Sequence, residues 1–158
     1  MIKVMVFGTF DTLHRGHLYF LEKASKEGDS LVAVAARDKT VGELKGRSPL
    51  HGYTKRVNKL MSTSLVDRVI PSDEVRGSWG VIEKERPEVI CLGHDQLAMK
   101  NSLLSWLENQ SVYNPRIIIL PPYRRIFFSS TARRKRRETL FYLLLLTAVL
   151  LMAFSWIS

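Results

Sequence analysis

Five short apolar runs lie between Lys3 and Leu120, and stretches with helical periodicity separate them. Lys3–Phe7, Leu31–Ala36, Asp67–Ile70, Val89–Leu92 and Arg116–Leu120 are too short for helices and read as strands. Leu18–Ser25, Lys55–Ser62, Trp79–Glu85 and Leu103–Asn109 read as helices, the third stopped by Pro87. Apolar strands alternating with helices predict an α/β fold, a Rossmann-like parallel five-stranded sheet with helices on both faces. In such sheets a ligand sits beyond the carboxyl ends of the strands. The segments following Phe7, Ala36, Ile70, Leu92 and Leu120 are therefore where functional residues are expected.

The chain has 158 residues and a formal charge of +9, which suits one compact domain rather than several. Its single cysteine, Cys91, cannot close an intramolecular disulfide, and no basic segment followed by an apolar run opens the chain. Both features fit a reducing compartment such as the cytosol. The charge is unevenly spread: Arg133–Arg137 are five consecutive cations, and the +9 total less these five leaves +4 elsewhere. Thr139–Ser158 then carries no charge, glycine or proline. Twenty such residues in a helix span about 30 Å, the thickness of the hydrocarbon layer. The expected organisation is a catalytic domain over 1–132, a basic juxtamembrane segment over 133–138 and a tail anchor over 139–158. Flanking cations mark the cytoplasmic end of a span, which predicts a single C-terminal pass with the domain in the cytoplasm. The cations lie against the apolar segment with no interleaved aromatics, so anionic lipid explains them better than nucleic acid.

The residues with the most distinctive chemistry follow the first strand: Gly8-Thr9-Phe10-Asp11-Thr12-Leu13-His14-Arg15-Gly16-His17. Two histidines three apart at a helix start project to one side. Gly16 between them carries no side chain to obstruct a phosphate, and the free N–H groups of the first turn favour an anion. Two imidazoles donating to phosphate oxygens can stabilise charge on a phosphorus under attack. The plainer alternatives are a helix-capping pair, or half of a zinc site with Cys91 or His94, although such a site wants four close ligands. Asp11 either caps the turn or faces an acceptor. His51 and Cys91 read as structural, and Trp79 and Trp106 as packing.

His14-Arg15-Gly16-His17, following Gly8-Thr9-Phe10-Asp11, resembles the HxGH signature of the nucleotidyltransferase superfamily and its cytidylyltransferase-like branch. The resemblance runs from Met1 to about Arg134. It implies that His14 and His17 hold the nucleoside triphosphate and stabilise the pentacoordinate phosphorus. Gly8, Thr9, the Phe10 amide and Gly16 would line the phosphates. Lys45, in the loop after the second strand, matches the family lysine that reaches them. Arg56 matches a helical arginine near the acceptor, with Asp11 close by. Gly93, Asp95 and Gln96 match a Gly-x-Asp loop beside the nucleoside. Ser129-Ser130-Thr131 resembles the Ser-Thr motif that clasps the β and γ phosphates, and Arg124 the arginine preceding it. Glycerol-phosphate relatives carry glycine just before that motif, whereas this chain has Phe127-Phe128.

The implied reaction transfers a nucleoside monophosphate from an NTP to a phosphorylated acceptor. The acceptor phosphate attacks the α-phosphorus in line and pyrophosphate leaves, with no protein nucleophile. Mg²⁺ or another divalent cation is expected with the NTP, held mostly by the nucleotide, and no protein metal site is expected. Ala36-Arg37-Asp38, Leu44-Lys45-Gly46-Arg47 and Gly93-x-Asp95-Gln96 look most like the archaeal-type FAD synthases, which adenylylate FMN. The membrane address favours an alternative, a cytidylyltransferase activating glycerol 3-phosphate or a similar head group. A second alternative is an inactive, membrane-tethered nucleotide-binding module. A homodimer is a possible further partner arrangement.

Overall fold

The computed structural model describes residues 1–110 and 112–123, and Met1–Tyr123 forms one compact unit. Five strands are present: β1 Lys3–Gly8, β2 Ser30–Ala35, β3 Arg68–Pro71, β4 Val89–Gly93 and β5 Arg116–Leu120. They form one sheet in the order β3-β2-β1-β4-β5, and every pairing is parallel. The helices are α1 Arg15–Ser25, α2 Asp38–Lys45, α3 Tyr53–Met61, α4 Gly80–Glu85 and α5 Leu97–Leu107. The expected sheet is thus observed, with strand limits within about two residues. One helix was not expected: Lys45 ends α2 rather than lying in a loop. Only Val41 of α2 is buried, so the segment carries almost no apolar stripe. Its one local signal is Gly46, whose φ of 64° stops the helix in the left-handed conformation.

Side chains of each strand alternate between two cores because successive residues point to opposite faces. Val4 and Val6 join Leu31, Ala33 and Cys91 beneath α1 and α3, through Leu21, Ala24 and Leu60. Met5 and Phe7 join Val32, Val34, Ile90 and Leu92 beneath α4 and α5, through Trp79, Ile82 and Leu103. The strand order reverses at β1, whose partners β2 and β4 are reached by chain running to opposite sides. That reversal opens a crevice beyond the carboxyl ends of β1 and β4.

Arg56 ties these ends together. It is fully buried in α3 and makes four hydrogen bonds: from Nε to the His51 carbonyl, from Nη1 to the Thr9 carbonyl, and from Nη2 to the Ala36 carbonyl and Asp38 Oδ1. The Tyr53 ring lies 5.6 Å from its guanidinium. Asp38 Oδ2 also accepts the Tyr53 N–H at 3.2 Å, coupling the starts of α2 and α3. The Arg56 guanidinium holds the Asp38 carboxyl below the usual carboxylate range. Arg56, expected near the acceptor side, has its guanidinium enclosed and committed to backbone carbonyls and Asp38.

No helix among the described residues is long and apolar enough to cross a membrane. The expected basic segment 133–138, the anchor 139–158, Arg124 and Ser129-Ser130-Thr131 all lie outside the described residues. Arg56→Met should destabilise the protein by about 3 kcal/mol in urea unfolding, since it strands three carbonyl groups that the guanidinium now satisfies. An unchanged midpoint would show that those carbonyls find other partners.

Candidate active site

His14 is the N-cap of α1, with extended backbone, and its Nδ1 accepts the Gly16 N–H at 3.1 Å. The neutral ring therefore carries its proton on Nε2, which is left to donate outward. His17, one turn on, stacks against it with ring centroids 3.9 Å apart and planes inclined by 31°. A Cβ on residue 16 would lie 3.0 Å from the His14 ring, which explains the glycine between the two histidines.

The turn before α1 is shaped by a second close approach. Phe10 adopts a φ of 47° and folds its ring, 1% exposed, beneath Gly8. A Cβ at Gly8 would meet that ring at 2.7 Å. Phe10 in turn lies 5.6 Å from the His17 ring, so the buried phenyl supports the imidazole from below. Burial lowers the His17 pKa to about 4, the adjacent His14 adds to this, and the Thr12 carbonyl and Asp95 pull weakly the other way. Its Nδ1 is buried without a partner of good hydrogen-bond geometry among the described residues. His17 is thus neutral at pH 7, a donor or acceptor rather than a fixed cation.

Asp11 is buried and its carboxylate accepts the His51 N–H at 3.1 Å. Lys45 Nζ and Arg47 Nη1 approach its Oδ2 at 3.3 and 3.5 Å. Burial pushes this carboxyl upward, but the His51 amide and the Lys45 ammonium together outweigh it and hold the pKa below the ordinary value. Asp11 therefore positions cations and is not exposed to an acceptor, which corrects its expected placement. Lys45 keeps its side chain 31% exposed and is near enough to His17 to lower its pKa. Arg47, the last residue of the Leu44-Lys45-Gly46-Arg47 motif, joins this cluster although no role was expected of it. Its position one residue past the helix-ending Gly46 is the only local hint.

Across the crevice, Gly93-His94-Asp95-Gln96 follows β4. Gln96 is a staple: its Oε1 accepts the Gly93 N–H at 2.8 Å and its Nε2 donates to the Phe7 carbonyl at 2.9 Å. A Cβ at Gly93 would sit 2.8 Å from Asp95 Oδ1, so glycine is needed for the loop to close on itself. Asp95 and His94 are exposed beside the histidines. One cavity is walled by His14, Gly16, His17, Gly93, Asp95 and the 120–123 segment after β5. A second opens on the other side of β1, between β2, α2, the 72–79 segment and α5. Phe7, Gly8, Thr9 and Gln96 line both. The structure thus brings His14, His17, Gly8, Thr9, Phe10, Gly16, Gly93, Asp95 and Gln96 around one crevice. Lys45 stands beside it.

Trp79, read as packing, does pack in the core against Phe7, and it also lines the second cavity. Its signal was its place in a glycine-flanked turn, Gly77-Ser78-Trp79-Gly80, after the third strand. Cys91 lies buried within β4, where burial pushes its thiol up to about 12. Among the described residues no three His, Cys, Asp or Glu side chains gather to hold a metal ion.

The His17 pKa has a stability consequence. As pH falls from about 6.5 the unfolded chain takes up a proton that folded His17 refuses, so stability is lost progressively down to about 4 and no further below. The His17 ring should titrate near pH 4 in an NMR titration, and His17→Gln should remove this portion of the pH dependence. A midpoint at the ordinary histidine value would contradict the burial argument.

Known proteins share these features. A family model described as Cytidylyltransferase-like matches residues 5–136. The FAD synthase of Thermococcus sibiricus is 36% identical over 120 residues, covering 76% of this chain and 80% of that protein. The FAD synthase of Pyrococcus abyssi is 41% identical over 95 residues, 60% of this chain and 64% of its own length. Among solved structures, the lipopolysaccharide core biosynthesis protein from Thermoplasma volcanium superposes with a TM-score of 0.67 at 32% identity, covering 78% of this chain and 99% of that one. Pantoate-beta-alanine ligase from Francisella tularensis, at 12% identity, 79% and 60% coverage and a TM-score of 0.52, shares the fold. With its parallel sheet, its histidine pair at the start of the first helix and a family match over most of its length, the chain belongs to the cytidylyltransferase-like family.

Proposed function

We propose that this nucleotidyltransferase is an FAD synthase, joining ATP and FMN to give FAD and pyrophosphate. The observation that carries the reading is the stacked His14–His17 pair at the switch point of the sheet, in a chain 36% identical to an FAD synthase over most of both lengths. A terminal oxygen of the FMN phosphate attacks the α-phosphorus of ATP, and the bond from that phosphorus to the α,β-bridging oxygen breaks. His14 Nε2–H and the His17 ring hydrogen-bond the phosphate oxygens where charge builds up, and the neutral His17 gains most from an arriving anion because burial has left it poorly solvated. Lys45, held by Asp11, supplies positive charge to the triphosphate or the leaving pyrophosphate. Gly93 and Asp95 stand beside the nucleoside, and Gln96 fixes their loop. Ser129-Ser130-Thr131 and Arg124 complete the phosphate contacts in this reading. A divalent cation such as Mg²⁺, arriving with the nucleotide, would offset negative charge on the phosphates.

The structural relative named for lipopolysaccharide core biosynthesis keeps a second reading in view, transfer of CMP to glycerol 3-phosphate or a similar head group. ATP and CTP, each paired with FMN and with glycerol 3-phosphate, distinguish the two. Pyrophosphate release by the full-length chain is expected with ATP and FMN, and His17→Ala should lower kcat/KM by roughly 10²–10³. Turnover only with CTP and glycerol 3-phosphate would establish the second reading, and nucleotide binding without any turnover would leave a binding module.

The reading includes the membrane address: Arg133–Arg137 at the lipid surface, Thr139–Ser158 as a single C-terminal span, the domain in the cytoplasm, and neighbouring copies free to pair as a homodimer. Alkaline carbonate should leave the full chain in the membrane pellet and release a chain ending at residue 132. Full-length protein in the supernatant would remove the anchor from the account.

A further inference from the structure

The cavity on the β2 side of β1 has a wall that differs from the phosphate side. Val34, Leu44, Val75, Val81, Met99 and Trp79 line it, and it shares only Phe7, Gly8, Thr9 and Gln96 with the histidine crevice. Two ligands in the two cavities would therefore meet across the carboxyl end of β1, beside His14 and His17. The first carries imidazoles and a glycine-rich turn suited to phosphates. The second suits a flat, largely apolar ring.

Trp79 is the unusual residue of that wall. Its backbone lies at φ 58°, ψ 18°, a left-handed conformation that a bulky side chain rarely adopts. It is held there on three sides. The Trp79 carbonyl accepts the Ile82 and Glu83 N–H groups, Asp73 accepts the Val81 N–H at 3.1 Å, and the indole packs edge-on to Phe7 at 5.8 Å. The residue is 7% exposed, and its indole N–H is buried with no hydrogen-bond partner among the described residues. A strained backbone and an unsatisfied donor at one residue are both unfavourable, and such combinations concentrate where a ligand completes the structure. The neighbours that pack the indole are apolar and make no use of the nitrogen.

We propose that Trp79 is a specificity-determining residue for the acceptor: the flat ring of the acceptor occupies this cavity, and the Trp79 indole N–H donates to a carbonyl on the edge of that ring. The inference rests on the FMN reading above, whose isoalloxazine ring is flat, apolar across its faces and bears carbonyl acceptors. In the ligand-free protein the N–H is covered, so the bond forms as the indole shifts toward the ring. The indole thereby favours an acceptor with a ring carbonyl over a simple head group such as glycerol 3-phosphate, which offers the cavity neither apolar faces nor a carbonyl. Specificity of this kind is strong because the wrong acceptor leaves the buried donor unpaired.

The test is Trp79→Phe in the full-length chain, with initial rates at varied FMN and varied ATP. Phenylalanine keeps an aromatic ring beside Phe7 and removes the donor together with part of the indole's volume, so the urea unfolding midpoint of the variant is compared with wild type to separate the two. KM for FMN should rise about tenfold while KM for ATP and kcat stay within a factor of two. Ala98→Trp provides a second variant. Ala98 is exposed in the first turn of α5 and lines the cavity, so its enlargement should raise KM for FMN further and spare ATP. An unchanged KM for FMN in Trp79→Phe, or equal changes in both KM values, would overturn the role given to the indole, the latter marking a structural effect. Wild-type protein that makes no pyrophosphate from ATP and FMN would instead overturn the FAD synthase reading, and this inference with it.

Discussion

A single buried cation organises the carboxyl edge of the sheet. The Arg56 guanidinium bonds carbonyls contributed by the β1–α1 turn, the end of β2 and the segment before α3, together with the Asp38 carboxylate. Placing a full charge where no water reaches it is unfavourable unless every hydrogen bond is met, and here the backbone meets them. The consequence is geometric. Thr9 and Ala36 are the first residues after two adjacent strands, so one planar group sets the spacing of the loops from which the crevice is made. A lysine could neutralise Asp38 but could not reach three carbonyls in different directions.

Around that fixed edge the site is an exercise in controlled charge. Asp11, buried two residues after Thr9, holds Lys45 and Arg47 near the crevice without entering it. Burial, the stacked His14 ring and the Lys45 charge keep His17 uncharged. The site is thus a set of donors and two cations that share the single Asp11 carboxylate, which leaves a net positive charge suited to a triphosphate. Glycines do the complementary work of closeness: Gly8 admits the Phe10 ring and Gly16 the His14 ring, each at a distance no Cβ allows.

The legible part of the sequence was the part dictated by local pattern. Apolar runs marked all five strands, because a parallel sheet covered on both faces needs side chains that are apolar in both directions. The His14–His17 segment was visible because the chemistry needs those residue types at that spacing. α2 was not visible, since a helix that buries only Val41 has no stripe to read. Arg56 and Asp11 were assigned to an acceptor because both residue types suit phosphate chemistry, and their burial depends on contacts with residues far away in the chain. Gln96 looked like a ligand contact and is a staple to Phe7, an interaction across 89 positions.

The amino-acid sequence by itself determined the sheet, the helix that presents the histidine pair, and the family, because each follows from periodicity or from a motif contained within a few consecutive residues. Only the tertiary structure decided which polar residues face the crevice and which support it. It also decided that Trp79, a member of the core beneath α4 and α5, borders a cavity as well. Exposure and partner are properties of residues brought together from distant points of the chain, and local spacing carries no record of them.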